Sequence, residues 1–280
     1  MQKAYFEYDG YKVHYTLIGN GAKHVLAFNG YGQEGAVFKA FENSLGREYT
    51  IIAFDLFHHG ESHYPKGLAP DTALELDLFK AMLESLLTRL GIDTFGLMGY
   101  SMGGRICLQL LTMFGNRVTE LYLFAPDGIK RSNGYVFGTY TLVGKALFKL
   151  MVDAGGIMLA GLKLGNRLGI VNSKAHAFFV TQVNTKEKRR KLYNTWQTYR
   201  RFKPNLDTVA VILNTGQVKL HLFTGKYDKV LPPWTVNRLL KKLTINPVNN
   251  QLDSGHDLIS LKTSAYLEKY LNSKKVDYNQ

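Results

Sequence analysis

Only one of the 280 residues is a cysteine. That excludes an internal disulfide framework and a cysteine-based metal cluster. Long apolar runs are missing too. The most suspicious stretch, residues 141–162, is cut by Lys145, Lys149 and Asp153, so nothing reaches the roughly 18 uncharged residues that a helical membrane span needs. Residues 1–10 mix Lys3, Glu7 and Asp9 with aromatics and hold no continuous apolar segment of the secretory kind. Acidic residues are scarce relative to basic ones: 22 Asp+Glu against 35 Lys+Arg leave a formal charge of +13. Such a balance admits nucleic acid, an anionic membrane surface or an acidic substrate without choosing among them. With 45% apolar and 12% aromatic residues, the expectation is a soluble, cytoplasmic, basic protein of one large domain or two ordinary ones.

Residues 4–8 and 12–18 read as two short strands around the turn Asp9-Gly10, a strong hairpin signal. Residues 24–28 and 50–54 are short apolar runs, as expected for strands buried on both faces. A helix is expected between them at 36–45. Over residues 73–90, Leu74, Leu78, Met82, Leu86 and Leu90 recur at helical spacing, and Gly91 stops the run. Residues 95–98 and 121–125 are again strand-like, with a helix at 102–114 between them. This alternation predicts an α/β fold with a mostly parallel, twisted sheet and helices on both faces. It stops near Asp127. Residues 130–204 are helix-like and basic, without a strand signal. A strand at 219–223, a helix after Pro233, a short strand at 249–252 and a helix at 257–271 follow, and the polar tail 272–280 is expected to fray. The simplest organisation is a core of residues 1–129 and 205–280 interrupted by a helical insert, 130–204.

Gly99-Tyr100-Ser101-Met102-Gly103 falls between an expected strand and an expected helix. That is the context in which Gly-x-Ser-x-Gly is a nucleophile elbow. The tight turn strains the serine backbone and projects its hydroxyl, and the flanking glycines let strand and helix approach. On these residues the chain resembles the α/β-hydrolase superfamily, whose members place an acid after a late strand and a histidine after the last one. Gly225-Lys226-Tyr227-Asp228, with Pro232 beyond it, is similar to the family's acid segment and nominates Asp228. Ser254-Gly255-His256-Asp257 is similar to its Gly-His segment and nominates His256. Asp127 is a rival acid, after the strand that precedes the insert. The resemblance implies Ser101 as nucleophile, His256 as general base and acid, and Asp228 as its orienter. A serine at the elbow argues against the aspartate nucleophile of the family's dehalogenases and epoxide hydrolases.

An oxyanion hole needs backbone N–H donors. The resemblance assigns one to Met102 and the other to the turn after residues 24–28. There the family usually carries His-Gly, whereas this chain reads Asn29-Gly30-Tyr31-Gly32. Tyr31 is the expected second donor, with Gly32 as the alternative. Asp55-Leu56-Phe57-His58-His59-Gly60-Glu61-Ser62 is similar to the family's Asp-x-x-Gly-His-Gly-x-Ser loop, with His58 where glycine is usual. Three histidines in six residues (His58, His59, His63) raise the question of a metal, but the neighbouring sequence adds no cluster of further ligands and the loop reads as scaffold. Cys107 reads as a buried, inert thiol. The implied activity is hydrolysis of a carboxylic ester or thioester without metal or organic cofactor. Carbon–carbon bond hydrolysis by the same triad, and a binding module on a retired hydrolase fold, are the alternatives.

The family often carries a cap at the position of residues 130–204. This insert holds fifteen Lys/Arg and two acids, Asp153 and Glu187, so it contains the whole positive excess and the rest of the chain is formally neutral. Basic and apolar residues alternate in it at helical spacing. That pattern admits an anionic acyl substrate, contact with an anionic membrane surface, or a solvated face over an apolar underside. No recognised nucleic-acid motif accompanies it. Phe178, Phe179, Trp196 and Tyr199 are candidates for an acyl pocket or for the core of the insert.

Overall fold

The computed structural model describes residues 1–169, 180–181, 183–245 and 247–277. Phe178, Phe179 and residues 278–280 lie outside the described residues. One eight-stranded sheet runs β1-β2-β4-β3-β5-β6-β7-β8. Strands β1 (Gln2–Tyr8) and β2 (Tyr11–Ile18) form an antiparallel hairpin whose turn places both Asp9 (φ 48°) and Gly10 (φ 77°) in the left-handed region, the geometry that matches strand twist. β2 pairs antiparallel with β4 (Tyr49–Phe54). From there β3 (Lys23–Phe28), β5 (Phe95–Tyr100), β6 (Val118–Phe124), β7 (Lys219–Gly225) and β8 (Asn249–Leu252) pair in parallel. The sheet is therefore mostly parallel, as the alternating pattern predicts.

Central strands of such a sheet are covered on both faces, so they read as unbroken apolar runs. β5 is buried at every position. Val25, Ile51, Met98, Phe124 and Phe223 join one core cluster, and Phe124 stacks on Phe223 at 4.8 Å. At about 25 cal/mol per Å² of apolar surface removed from water, each such aromatic contributes a few kcal/mol. Helix α1 (Leu76–Leu90) buries Phe79, Met82, Leu83, Leu86 and Leu87, a helical stripe. Helix α2 (Met102–Phe114), directly after β5, buries eleven of its thirteen residues.

Three local features differ from the sequence expectation. Residues 36–45 are a 3-10 helix, Gly35–Phe41, followed by one α turn, Glu42–Leu45. Gly35, Phe38 and Phe41 are its buried residues, and a spacing of three is aligned by a 3-10 helix, not by an α-helix. A helix unread in the sequence, Leu206–Asn214, begins where the Asn205 side chain accepts from the N–H groups of Asp207 and Thr208, a standard N-cap. The last helix, Leu261–Asp277, starts later than expected and leaves His256 on a loop.

The chain divides into two compact units: Met1–Pro65 with Phe79–Lys130 and Lys203–Gln280, and Lys66–Leu78 with Arg131–Phe202. The second is helical. It contains α3 (Asn133–Tyr140), α4 (Leu142–Asp153), α5 (Gly155–Arg167) and α6 (Lys186–Thr198). Phe148 of α4 meets Tyr193 and Trp196 of α6 edge-on at 5.2 and 5.4 Å, and Tyr199 is fully buried. Arg189 is also buried; its guanidinium donates to the carbonyls of Val152 and Val183. The segment Lys66–Leu78 is held to this unit by the Leu74 N–H donating to the Thr198 carbonyl. No helix among the described residues is long and apolar enough to cross a membrane.

Candidate active site

Ser101 stands at the turn between β5 and α2 with φ 51° and ψ −115°, a strained conformation for a residue with a Cβ. The surroundings impose it. The Ser101 N–H donates to the Phe124 carbonyl, and the Ser101 carbonyl accepts from the N–H groups of Gly104 and Asp127, each at 2.9 Å. A Cβ on Gly103 would lie 1.8 Å from the Phe28 carbonyl oxygen, and one on Gly99 would lie 2.6 Å from that of Gly103. Both positions must be glycine for strand and helix to close on each other.

His256 reaches Ser101 from the loop after β8. Its Nε2 lies 3.1 Å from Ser101 Oγ, and its Nδ1 lies 2.7 Å from Asp228 Oδ2. Asp228, on the loop after β7, is buried, and its other oxygen accepts from the N–H groups of Val230 and Leu231 at 2.8 and 2.9 Å. Two main-chain donors thus fix the carboxylate, the carboxylate fixes the imidazole, and the imidazole faces the hydroxyl. Three residues separated by up to 155 positions form one chain of hydrogen bonds.

The turn after β3 lies against this group. A Cβ on Gly30 would meet the Tyr100 ring at 2.8 Å and the Ser101 Cβ at 3.3 Å, which places the turn beside the hydroxyl. Asn29 is buried, and its amide donates to the carbonyls of Gly30 and Gln33 at 2.9 and 2.7 Å. The asparagine therefore braces the turn that carries Tyr31 and Gly32. The Tyr31 ring stands edge-on to His59 at 5.5 Å, and burial pushes its phenol well above the ordinary range.

A family model described as the alpha/beta hydrolase fold matches residues 23–263. The chain belongs to this family. A thermophilic esterase from Thermogutta terrifontis superposes with a TM-score of 0.66 at 16% identity, over 98% of this chain and 99% of that one. The acetyltransferase component of an acetoin cleaving system from Cupriavidus necator is 31% identical over 147 residues, 52% of this chain and 38% of that protein. An uncharacterized protein of Mycobacterium tuberculosis is 25% identical over 164 residues, 57% of this chain and 46% of its own length. The chain spans less than half the length of these two curated relatives.

The other sequence candidates fall into supporting positions around this α/β-hydrolase sheet. Asp127 is engaged by the Arg105 guanidinium of α2 and by the Gly128 N–H, whereas His256 Nδ1 is met by Asp228. Asp55 accepts from the Gly35 and Glu61 N–H groups and lies 2.7 Å from His14 Nδ1. His58, in place of glycine, takes φ 69° and stacks on Tyr64 at 5.4 Å. Among the described residues, no three His, Cys, Asp or Glu side chains converge as metal ligands would. Cys107 is buried in α2, and burial pushes its thiol up.

Two contacts were not anticipated from the sequence. The Tyr100 hydroxyl donates to the His256 carbonyl at 3.0 Å, with the two rings 5.4 Å apart, so the residue before the serine also holds the histidine loop. Arg105 secures the start of the loop after β6. Tyr100 carried a signal, because its side chain belongs to the elbow motif itself. Arg105 carried none beyond being a charge within an apolar helix.

Proposed function

We propose that the chain is a serine hydrolase that cleaves a carboxylic ester or thioester through an acyl-enzyme. The observation that carries this reading is the Ser101–His256–Asp228 hydrogen-bond chain. A serine hydroxyl is a weak nucleophile until a base takes its proton. His256 Nε2 takes that proton as Oγ attacks the acyl carbon. Asp228 keeps the other ring proton on Nδ1 and stabilises the imidazolium. The carbonyl oxygen becomes an oxyanion, received by the Met102 N–H and the Tyr31 N–H. The first N–H groups of a helix have no partner within it, which leaves the Met102 donor for this use. His256 then protonates the departing alkoxide or thiolate, and water repeats the sequence on the acyl-enzyme. No metal or organic cofactor takes part.

A fluorophosphonate probe tests the nucleophile, and a panel of esters and thioesters tests the reaction, with Ser101→Ala as blank for both. Labelling of the native protein at Ser101 together with turnover absent from the blank is expected. An unlabelled, inert native protein overturns the reading in favour of a non-catalytic module. Labelling with turnover only of carbon–carbon substrates replaces the ester by that bond.

A further inference from the structure

Helix α4 is inverted with respect to a solvated surface helix. Its buried residues Gly144, Phe148 and Val152 follow one narrow i, i+4 stripe. The opposite side, which faces solvent, is apolar. Leu142 is 89% exposed, Val143 71%, Leu150 56% and Leu147 40%. At 3.6 residues per turn these four, with exposed Ala146 between them, form a stripe about 140° wide. Lys145 and Lys149 run along one margin of it, one turn apart. Phe137 of α3 is half-exposed as well. A monomer gains nothing by showing such a contiguous apolar face to water.

We infer that the exposed face of α4 rests in the headgroup region of an anionic phospholipid bilayer. Charge complementarity selects this occupant. The insert carries the whole positive excess of the chain, and the stripe combines aliphatic side chains with marginal lysines whose stems can follow the apolar surface while their ammonium groups meet phosphates. A nucleic acid would call for aromatic platforms or hydrogen-bonding side chains between the cations. Leucine and valine offer neither. Within the insert Asp153 is taken by Lys186 at 2.8 Å, and along the stripe Lys145 lies 4.0 Å from Asp71 of the same unit.

The test is flotation of the purified chain with vesicles of phosphatidylcholine alone or with 30% phosphatidylglycerol, at low and high salt. Binding to the anionic vesicles at low salt is expected, weakened by salt and absent on neutral vesicles. Leu142→Asp with Leu150→Asp should reduce the bound fraction about tenfold or more, and Lys149→Glu should reduce it further. Arg189 is left intact because it is a buried strut of the insert. Ser101→Ala should bind like the native chain, so failure of the lipid inference and failure of the hydrolase reading give separate results. Fluorophosphonate labelling of the leucine variants at the native rate, in the absence of vesicles, shows that their fold is kept. No binding to anionic vesicles at low salt, binding unaltered by the two aspartates, or retention by nucleic acid without vesicle binding overturns the inference.

Discussion

Replacing Asp228 by asparagine exchanges one oxygen for an amide nitrogen, and the two main-chain donors on Oδ1 decide where that nitrogen goes. The Val230 and Leu231 N–H groups require an acceptor, so the amide oxygen stays with them and the NH₂ group turns toward His256 Nδ1. That nitrogen must then accept, its proton moves to Nε2, and the histidine presents a donor to Ser101 where an acceptor is needed. A triad held in the wrong tautomer loses about 10⁴-fold in kcat, or about 5 kcal/mol of barrier. Stability should move little: two hydrogen bonds pass from a charged to a neutral acceptor, about 1 kcal/mol each at most, or a few degrees in Tm at this length. The assay is steady-state hydrolysis of the best ester from the panel, with a thermal melt on the same samples. Asp127→Asn is the matched comparison. It takes the negative charge from beside the buried Arg105, should cost up to about 3 kcal/mol of stability, and should leave kcat within tenfold. Native-like turnover in Asp228→Asn, or the larger kinetic loss in Asp127→Asn, refutes the assignment of the acid.

Three further outcomes are expected. Asn29→Ala removes both braces of the turn at Tyr31, and kcat should fall about tenfold or more with little change in KM, as for a group acting only on the transition state. Gly103→Ala places a methyl 1.8 Å from the Phe28 carbonyl oxygen, a backbone clash that cannot be relieved locally; a Tm loss equivalent to about 3 kcal/mol or more, or no soluble protein, should result. Burial alone would raise the Glu120 carboxyl, but the neighbouring His221 ring at 3.6 Å and hydrogen bonds from Tyr122 and Tyr49 outweigh it and hold it at about 2, below its ordinary 4.5. Its contribution to stability is therefore full above pH 4.5 and is lost as pH falls toward 2, about 3 kcal/mol in all; acid-unfolding curves of Glu120→Gln should lack this portion of the slope.

What was legible in the sequence was what local sterics or local periodicity dictate. The elbow at Gly99–Gly103 could be read because only glycines permit the approach, and the hairpin because Asp9-Gly10 suits a left-handed pair. At Gly35–Phe41 the sequence predicts a helix without fixing its kind, since Phe38 and Phe41 fit a three-residue and a 3.6-residue spacing almost equally over so short a run. The attachment of Lys66–Leu78 to the helical unit rests on a bond from Leu74 to Thr198, which no local pattern encodes. The same limit explains Tyr100: its place in the motif was plain, but its bond to the His256 carbonyl joins segments 156 residues apart. At Asn29 a departure from the usual histidine was visible, and only the fold reveals that its amide braces the turn.

The backbone of Ser101 has a consequence for how this chain divides its sequence between durability and chemistry. A residue with a side chain held at φ 51° and ψ −115° costs about 1–3 kcal/mol, a cost that main-chain hydrogen bonds with Phe124 of β6 and Asp127 of the loop after it offset every time the protein folds. Glycine at 101 would avoid that cost and abolish the hydroxyl. Glycine here is accordingly both the less strained choice and an inert one, so the folding equilibrium rewards that one change even as it silences the site. Keeping serine there requires that selection act on turnover itself.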